Sequence, residues 1–177
     1  MRYVTLLRGI NVGGLKRIKM IELKNMFESL HFKNVKTYIQ SGNVIFDCDF
    51  VDTLKLSILI ENKISETFGF LVKTIIRTDE EFKNIVNNSP FVNELNIELD
   101  KLHVVFMVDI PEENRLLSLD IKKEENERFL IISREIYLYC PNGYGKTKLN
   151  NTTFEKKLEA VATTRNWKTI NNILLNI

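Results

Sequence analysis

The chain has 177 residues, of which 44% are hydrophobic and 27% are charged, and its formal net charge at neutral pH is only +2. This composition is typical of a folded globular protein, and a charge this small does not by itself indicate a nucleic-acid-binding protein. No stretch approaches the roughly 18 uninterrupted apolar residues that a membrane span needs, and the apolar run before Arg8 is too short for a signal peptide. We therefore expect no membrane partner. The two cysteines have no metal-like spacing, which favours a reducing compartment and predicts a cytoplasmic protein.

The first part of the chain predicts the element order βαββαβ. In the predicted helices apolar residues recur every three or four positions, and the predicted strands are rich in β-branched residues. The predicted elements are a strand at 3–7, a helix through Met20, Leu23, Phe27 and Leu30, strands at 35–40 and 44–48 joined by Ser41-Gly42-Asn43, a helix capped by Asp52 and ended by Gly69, and a strand at 71–76.

A capping box at Thr78 and Glu81 predicts a connecting helix, and residues 89–100 are predicted to be a linker. The element order then repeats. The predicted elements are a strand at 102–108, a short helix at 112–119, a hairpin of 129–133 and 136–140, a helix capped by Thr152, a strand at 162–165 and a terminal helix.

The sequence thus predicts an α+β fold of two ferredoxin-like βαββαβ units, a duplication, with an additional C-terminal helix. The first unit is predicted to span residues 1–77, the connecting helix and linker 78–100, and the second unit with the terminal helix 101–177. No residue-level similarity between the halves is evident, so only the order of elements indicates the duplication.

Charge and glycine are unevenly distributed along the chain. Residues 1–36 hold eight basic and two acidic residues, and residues 143–168 hold six basic and two acidic residues. Residues 79–135 have the opposite balance, with seven basic and fourteen acidic residues. Six of the seven glycines lie in three short loops, two of which belong to the basic segments. This asymmetry indicates an anionic ligand, although scattered surface lysines would produce part of it.

The opening loop, LLRGINVGG at residues 6–14, is the strongest candidate for an anion site. It is followed by Lys16, Arg17 and Lys19 at the start of a predicted helix, where cations oppose the helix dipole unless an anion is bound. Glycine permits positive φ and leaves backbone amides uncovered. We expect the amides of residues 13–15, with Arg8, to hold a phosphate or carboxylate. Arg8 is an equally good candidate for an ion pair with a buried carboxylate.

We further hypothesise that loops from both units converge on one cleft. Two arginines would hold the anion, asparagines would orient the rest of the ligand, and a tyrosine would cover it. The predicted ligand-binding residues are Arg8, Asn11, Gly13, Gly14, Ser41, Asn43, Tyr144, Lys146, Arg165 and Asn166. For Asn166 an alternative is open, in which it caps the final helix while Trp167 anchors that helix in the core.

Several better-known motifs do not fit. The GKT at 145–147 lacks the Walker A glycine, because Cys140 stands at its place, and the opening glycines do not match G-x-G-x-x-G. A lone Phe46 on the third strand does not make an RNA-recognition signature. His31 and His103 are far apart beside apolar neighbours, so we expect both to be structural. We expect no metal site and no cofactor, and no catalytic residue can be assigned.

Five motifs together resemble a bacterial family, the domain of unknown function 1697. They are LLRGINVGG at 6–14, MxxL at 20–23, TYIQSGNVIF at 37–46, GxGKTKL at 143–149 and TRNWKT at 164–169. The resemblance implies a small α+β protein with duplicated ferredoxin-like units, and it implies no activity. This sequence departs from the family at His31, where glycine is frequent after the first helix, and at Thr147, where serine is usual.

Two function classes follow. The first is a protein that binds a phosphate-bearing ligand, either a nucleotide or a nucleic-acid backbone. The second is a metal-independent enzyme that acts on a small phosphorylated or carboxylated metabolite. The glycine loops offer no carboxylate or histidine as a base, which favours binding, with an anionic small molecule or a nucleic acid as the partner. The sequence does not predict an oligomeric state.

Overall fold

A computed structural model describes residues 1–49 and 51–177 and contains two four-stranded antiparallel sheets. The predicted α+β fold with two ferredoxin-like units is confirmed. By its internal contacts the chain divides into one unit of Met1–Asn84 with Ile173–Ile177 and a second of Ile85–Asn172. The elements are β1 (Arg2–Leu7), α1 (Met20–Ser29), β2 (Lys33–Tyr38), β3 (Asn43–Asp47), α2 (Thr53–Phe68), β4 (Thr74–Thr78), α3 (Asp79–Asn87), β5 (Leu102–Met107), α4 (Glu113–Leu117), β6 (Arg128–Ile132), β7 (Glu135–Tyr139), α5 (Asn151–Leu158), β8 (Ala162–Asn166) and α6 (Trp167–Leu174).

The first unit has the strand order β2-β3-β1-β4, with β1 in the centre. Thr5 lies opposite Val44 of β3 on one side and Ile76 of β4 on the other. Apolar side chains of α1 and α2 join one face of this sheet in a single core. Aromatic side chains cluster at the centre of this core, where Phe46 stacks on Phe32 with ring centroids 4.4 Å apart.

The second unit repeats this arrangement with the order β6-β7-β5-β8. Val105 of the central strand β5 lies opposite Ile136 of β7 on one side and Thr164 of β8 on the other. Its core gathers apolar residues of β5, β7 and α5, including the fully buried Phe154. The central first strand of each unit therefore delivers its C-terminal end to a neighbouring hairpin, as the ferredoxin-like prediction requires.

Both ends of α2 and the start of α3 were predicted correctly from the local sequence. Asp52 accepts hydrogen bonds from the amides of Leu54 and Lys55 at 3.0 and 3.2 Å, and Gly69 ends α2 with φ of +79°. The capping box also forms, because the Thr78 amide donates to Glu81 at 2.8 Å and the Glu81 amide donates to the Thr78 hydroxyl at 3.2 Å.

Two predicted boundaries were wrong. Helix α5 is capped by Asn150, whose side chain accepts from the Thr153 amide at 3.0 Å, and not by Thr152. Glu155, the other half of the predicted cap, accepts instead from the amide of Ala162 at 2.9 Å. Strand β4 begins at Thr74 and not at residue 71, because its pairing with β1 starts only where Leu7 meets Thr74.

In the described part of the chain, none of the helices combines the length and the apolar character needed to cross a bilayer.

Candidate functional site

The opening glycines form a tight two-residue hairpin turn. The Leu15 amide donates to the Val12 carbonyl at 3.0 Å, and the two residues between them, Gly13 and Gly14, have φ of +58° and +78°. Positive φ at both central positions is the signature of a type I′ turn, for which glycine is favoured. Because the Leu15 amide is used inside the turn, the prediction that it contributes to an anion site is wrong.

Asn11 fixes the base of this hairpin. Its side-chain oxygen accepts from the Ile18 amide at 2.9 Å, and its side-chain nitrogen donates to the carbonyls of Ile18 and Gln40 at 3.0 and 2.9 Å. All three bonds go to backbone groups. The structure therefore places Asn11 as the residue that holds the hairpin in position, and its contact with a ligand stays a prediction.

The three cations after the turn have different environments. The Lys16 ammonium donates to the Leu71 carbonyl at 2.7 Å, and Lys19 forms an exposed ion pair with Glu22 at 3.3 Å. Such an exposed pair contributes little stability. Within the described residues, the Arg17 guanidinium makes neither a hydrogen bond nor an ion pair. It lies so close to Gly14 that a Cβ built there would be 3.3 Å from its terminal nitrogen.

Arg17 and Lys19 line an open depression of about 610 Å³ at the start of α1. Lys19 occupies the N-cap position, and its side chain makes no capping hydrogen bond, since an ammonium only donates. The first amides of α1 are therefore left without the side-chain acceptor that serine or aspartate would supply. The depression is lined by Asn11, Gly14, Arg17, Ile18, Lys19, Met20, Glu22 and Gln40.

The neighbouring hairpin is built around the end of β1. The Leu7 amide donates to the Gly42 carbonyl at 2.8 Å, so the end of this strand lies beside residues 41–43. Asn43 is fully buried, and its side chain donates to the Tyr38 carbonyl at 2.9 Å and to the Ser41 hydroxyl at 3.1 Å. These contacts give Ser41 and Asn43 a structural role in the turn.

Arg8 is half-buried directly after β1, and its amide donates to the Lys73 carbonyl at 2.9 Å. Its predicted contact with an anion stays a prediction.

In the second unit, Tyr144 links a loop to a helix and a strand. Its hydroxyl donates to Thr164 at 2.9 Å and accepts from the Asn151 amide at 3.0 Å. Its ring stacks on His103 with centroids 4.6 Å apart, and burial raises the pKa of its hydroxyl. Lys146 is exposed on the same loop. The hydroxyl of Tyr144 thus stabilises the fold, and the charge of Lys146 is exposed to solvent.

Arg165 is buried within β8. Its guanidinium donates to the Thr163 hydroxyl at 2.8 Å and to the Thr164 carbonyl at 2.9 Å. Burial lowers its pKa to about 10, which leaves it charged at neutral pH. Arg165 has only 6% of its surface exposed, and its contacts stabilise β8. The ligand-binding role that we predicted for it gains no support from these contacts.

Asn166 caps α6 by accepting from the Thr169 amide at 2.8 Å, and Trp167 is buried. Both observations favour the structural alternative for these two residues.

No group of three or more His, Cys, Asp or Glu in the described part of the chain is arranged to hold a metal ion. Arg17 and Lys19 were not among the predicted ligand-binding residues, although the sequence placed both, with Lys16, beside the expected anion. Arg17 and Lys19, together with Lys16, are the exposed cations beside the glycine turn.

The family and the fold are both shown by comparison with known proteins. A family model described as a protein of unknown function (DUF1697) matches residues 1–137. The conserved bacterial protein SP0830 from Streptococcus pneumoniae has the same fold, with a TM-score of 0.76 and 24% sequence identity over 99% of this chain and 97% of that one. None of the curated proteins matches the chain. With the family model covering most of its length, the chain belongs to the DUF1697 family.

Proposed function

We propose that this protein binds a phosphate-bearing ligand at the depression beside the Gly13-Gly14 turn. The observation that carries the proposal is the environment of Arg17. Its guanidinium lies against Gly14 and lines the depression together with Lys19. A planar guanidinium donates two parallel hydrogen bonds to phosphate or carboxylate oxygens. The guanidinium of Arg17 would therefore both attract the anion and orient it.

The surrounding residues support an anion of this kind. Lys19 adds a second charge that is held only by an exposed ion pair with Glu22. The uncapped first turn of α1 adds backbone donors and the positive end of the helix dipole. Glu22 is the carboxylate among the lining residues, and an anion would compete with it for Lys19.

The backbone of the opening hairpin is held in place before any ligand binds. The three backbone contacts of Asn11 fix the hairpin, and the Lys16 ammonium bonds the carbonyl of Leu71. A preformed site loses less conformational entropy on binding.

We also propose that the protein works in the cytoplasm. Cys48 and Cys140 form no disulfide with each other, which suits a reducing compartment.

Titration calorimetry with inorganic pyrophosphate tests the proposed site. Arg17→Gln should weaken binding at least tenfold, since a charge-assisted contact is lost. The matched control is Lys55→Gln, which removes one charge from an exposed position on α2 and should leave the affinity unchanged. Equal affinity of wild type and Arg17→Gln, or equal losses in both variants, would overturn the proposal.

A further inference from the structure

The tip of the opening hairpin presents two aliphatic side chains to solvent. Val12 is 66% exposed and Leu15 is 72% exposed. They are paired directly across the hairpin, and residues directly opposite each other in an antiparallel pair place their side chains on the same face. Asn11 anchors the base of the hairpin through bonds to the backbone. The tip is thus a small apolar surface on a fixed support.

This apolar pair lies within a few residues of the accessible cations. Arg17 and Lys19 are exposed, and Lys16, opposite Asn11 at the base of the hairpin, adds a third positive charge. The surface is therefore apolar at its tip and positive at its base. Its charge complements a polyanion, and its tip offers contact to an uncharged part of the same ligand.

The depression itself is too open to enclose a small molecule. Gly14, Arg17, Lys19, Glu22 and Gln40 are all exposed, whereas pockets for small ligands usually bury most of the ligand surface. A mononucleotide would keep most of its hydration here and gain little affinity. A polymer gains affinity from several phosphates at once, because each contact releases condensed counterions.

We propose that the ligand is a single-stranded nucleic acid, an inference that rests on the proposed phosphate site. Consecutive phosphates would contact Arg17 and Lys19, and an unstacked base or its sugar would pack on Val12 and Leu15. A single strand fits better than a duplex because its bases are free to reach the hairpin tip, whereas the bases of a duplex would first have to be unstacked.

Fluorescence anisotropy with a labelled twelve-nucleotide oligothymidylate tests this inference across salt concentrations. Two phosphate contacts predict a slope of log affinity against log salt of roughly −1.4, and Arg17→Gln should reduce it by about 0.7. The double variant Val12→Thr with Leu15→Gln should weaken binding about tenfold and leave the slope unchanged. Leu117→Gln, at a leucine that is 82% exposed on α4, is the control and should bind as wild type.

The outcomes separate this inference from the proposed site. If pyrophosphate binds but the oligonucleotide binds no more tightly, the inference of a single-stranded nucleic acid fails and the phosphate site stands. The same conclusion follows if the double variant of Val12 and Leu15 binds the oligonucleotide like wild type. If neither ligand binds, both proposals fail. Binding to phosphatidylglycerol vesicles that depends on Leu15, without binding to the oligonucleotide, would assign the surface to lipid and overturn the inference.

Discussion

Arg77 and Arg165 occupy the same position in the two units. Each is the fourth residue of the last strand of its unit and lies opposite a valine of the central strand, Val4 or Val104. Each guanidinium also donates to the carbonyl of the preceding residue at 2.9 Å. In both units the next residue caps the following helix, through Thr78 or Asn166.

This repeat corrects the expectation that the halves share no residue-level similarity. When Arg77 and Arg165 are aligned, Asn84 matches Asn172 and Ile85 matches Ile173. The signal in the sequence was an arginine near the end of a strand, followed at once by a capping residue. It is visible only once the strand ends are aligned, because the remaining positions differ.

Loss of a buried arginine should destabilise the fold. Arg165→Ala removes the donor to the Thr163 hydroxyl and the Thr164 carbonyl and is expected to lower the free energy of unfolding by about 3 kcal/mol. Urea denaturation measures this change. Lys168→Ala, at an exposed position of α6, is the control, and a loss below about 1 kcal/mol for Arg165→Ala would contradict the structural role.

Gly42 should tolerate no side chain. Its φ is +74°, and a Cβ would lie 2.6 Å from the Ile10 Cδ1 and 2.8 Å from the Leu7 Cβ. Gly42→Ala is therefore expected to cost about 3 kcal/mol, from backbone strain and overpacking together. Gly69→Ala shares the conformation, with φ of +79°, but meets no atom within 4 Å, and should cost about 1 kcal/mol. Equal midpoints of thermal unfolding for the two variants would refute the close approach.

Asn11→Ala should loosen the hairpin without unfolding the unit. Three backbone contacts are lost, and we expect faster hydrogen exchange at the Ile18 amide together with weaker phosphate binding, since the hairpin no longer holds Arg17 in place. Unchanged exchange at Ile18 would show that the side chain does not anchor the loop. Asn34→Ala, which removes a contact to Asp47 on β3, is the control.

His103 should make stability fall on acidification. Burial lowers its pKa from the ordinary value of 6.5, so the folded protein resists a proton that the unfolded chain accepts. Its contribution to stability is complete above about pH 7 and declines as the pH falls through 6.5. His103→Phe keeps a ring against Tyr144 and removes this titration. Its unfolding midpoint should change less between pH 7 and pH 5 than that of wild type, and identical profiles would contradict the prediction.

The range of the interaction explains most of what the sequence predicted, although the short-range cap of α5 at Asn150 was missed. The caps at Asp52 and Thr78 were predicted because they are formed by residues within one turn of the helix. The start of β4 was not, because its pairing with β1 at Leu7 and Thr74 decides it. For the candidate site, the sequence indicated the loop and the charged residues on which the proposal rests. It did not indicate that Asn11 and Asn43 bond the backbone, since an asparagine amide suits a ligand and a carbonyl equally well.

The central claim is that an anion binds beside the Gly13-Gly14 turn, and an amide NMR titration with inorganic pyrophosphate tests it most directly. The account predicts saturable shifts at the amides of Gly14, Arg17 and Ile21, and their loss in Arg17→Gln while Lys55→Gln retains them. An unshifted Gly14–Ile21 segment at saturating pyrophosphate, or the same shifts in Arg17→Gln, would contradict it.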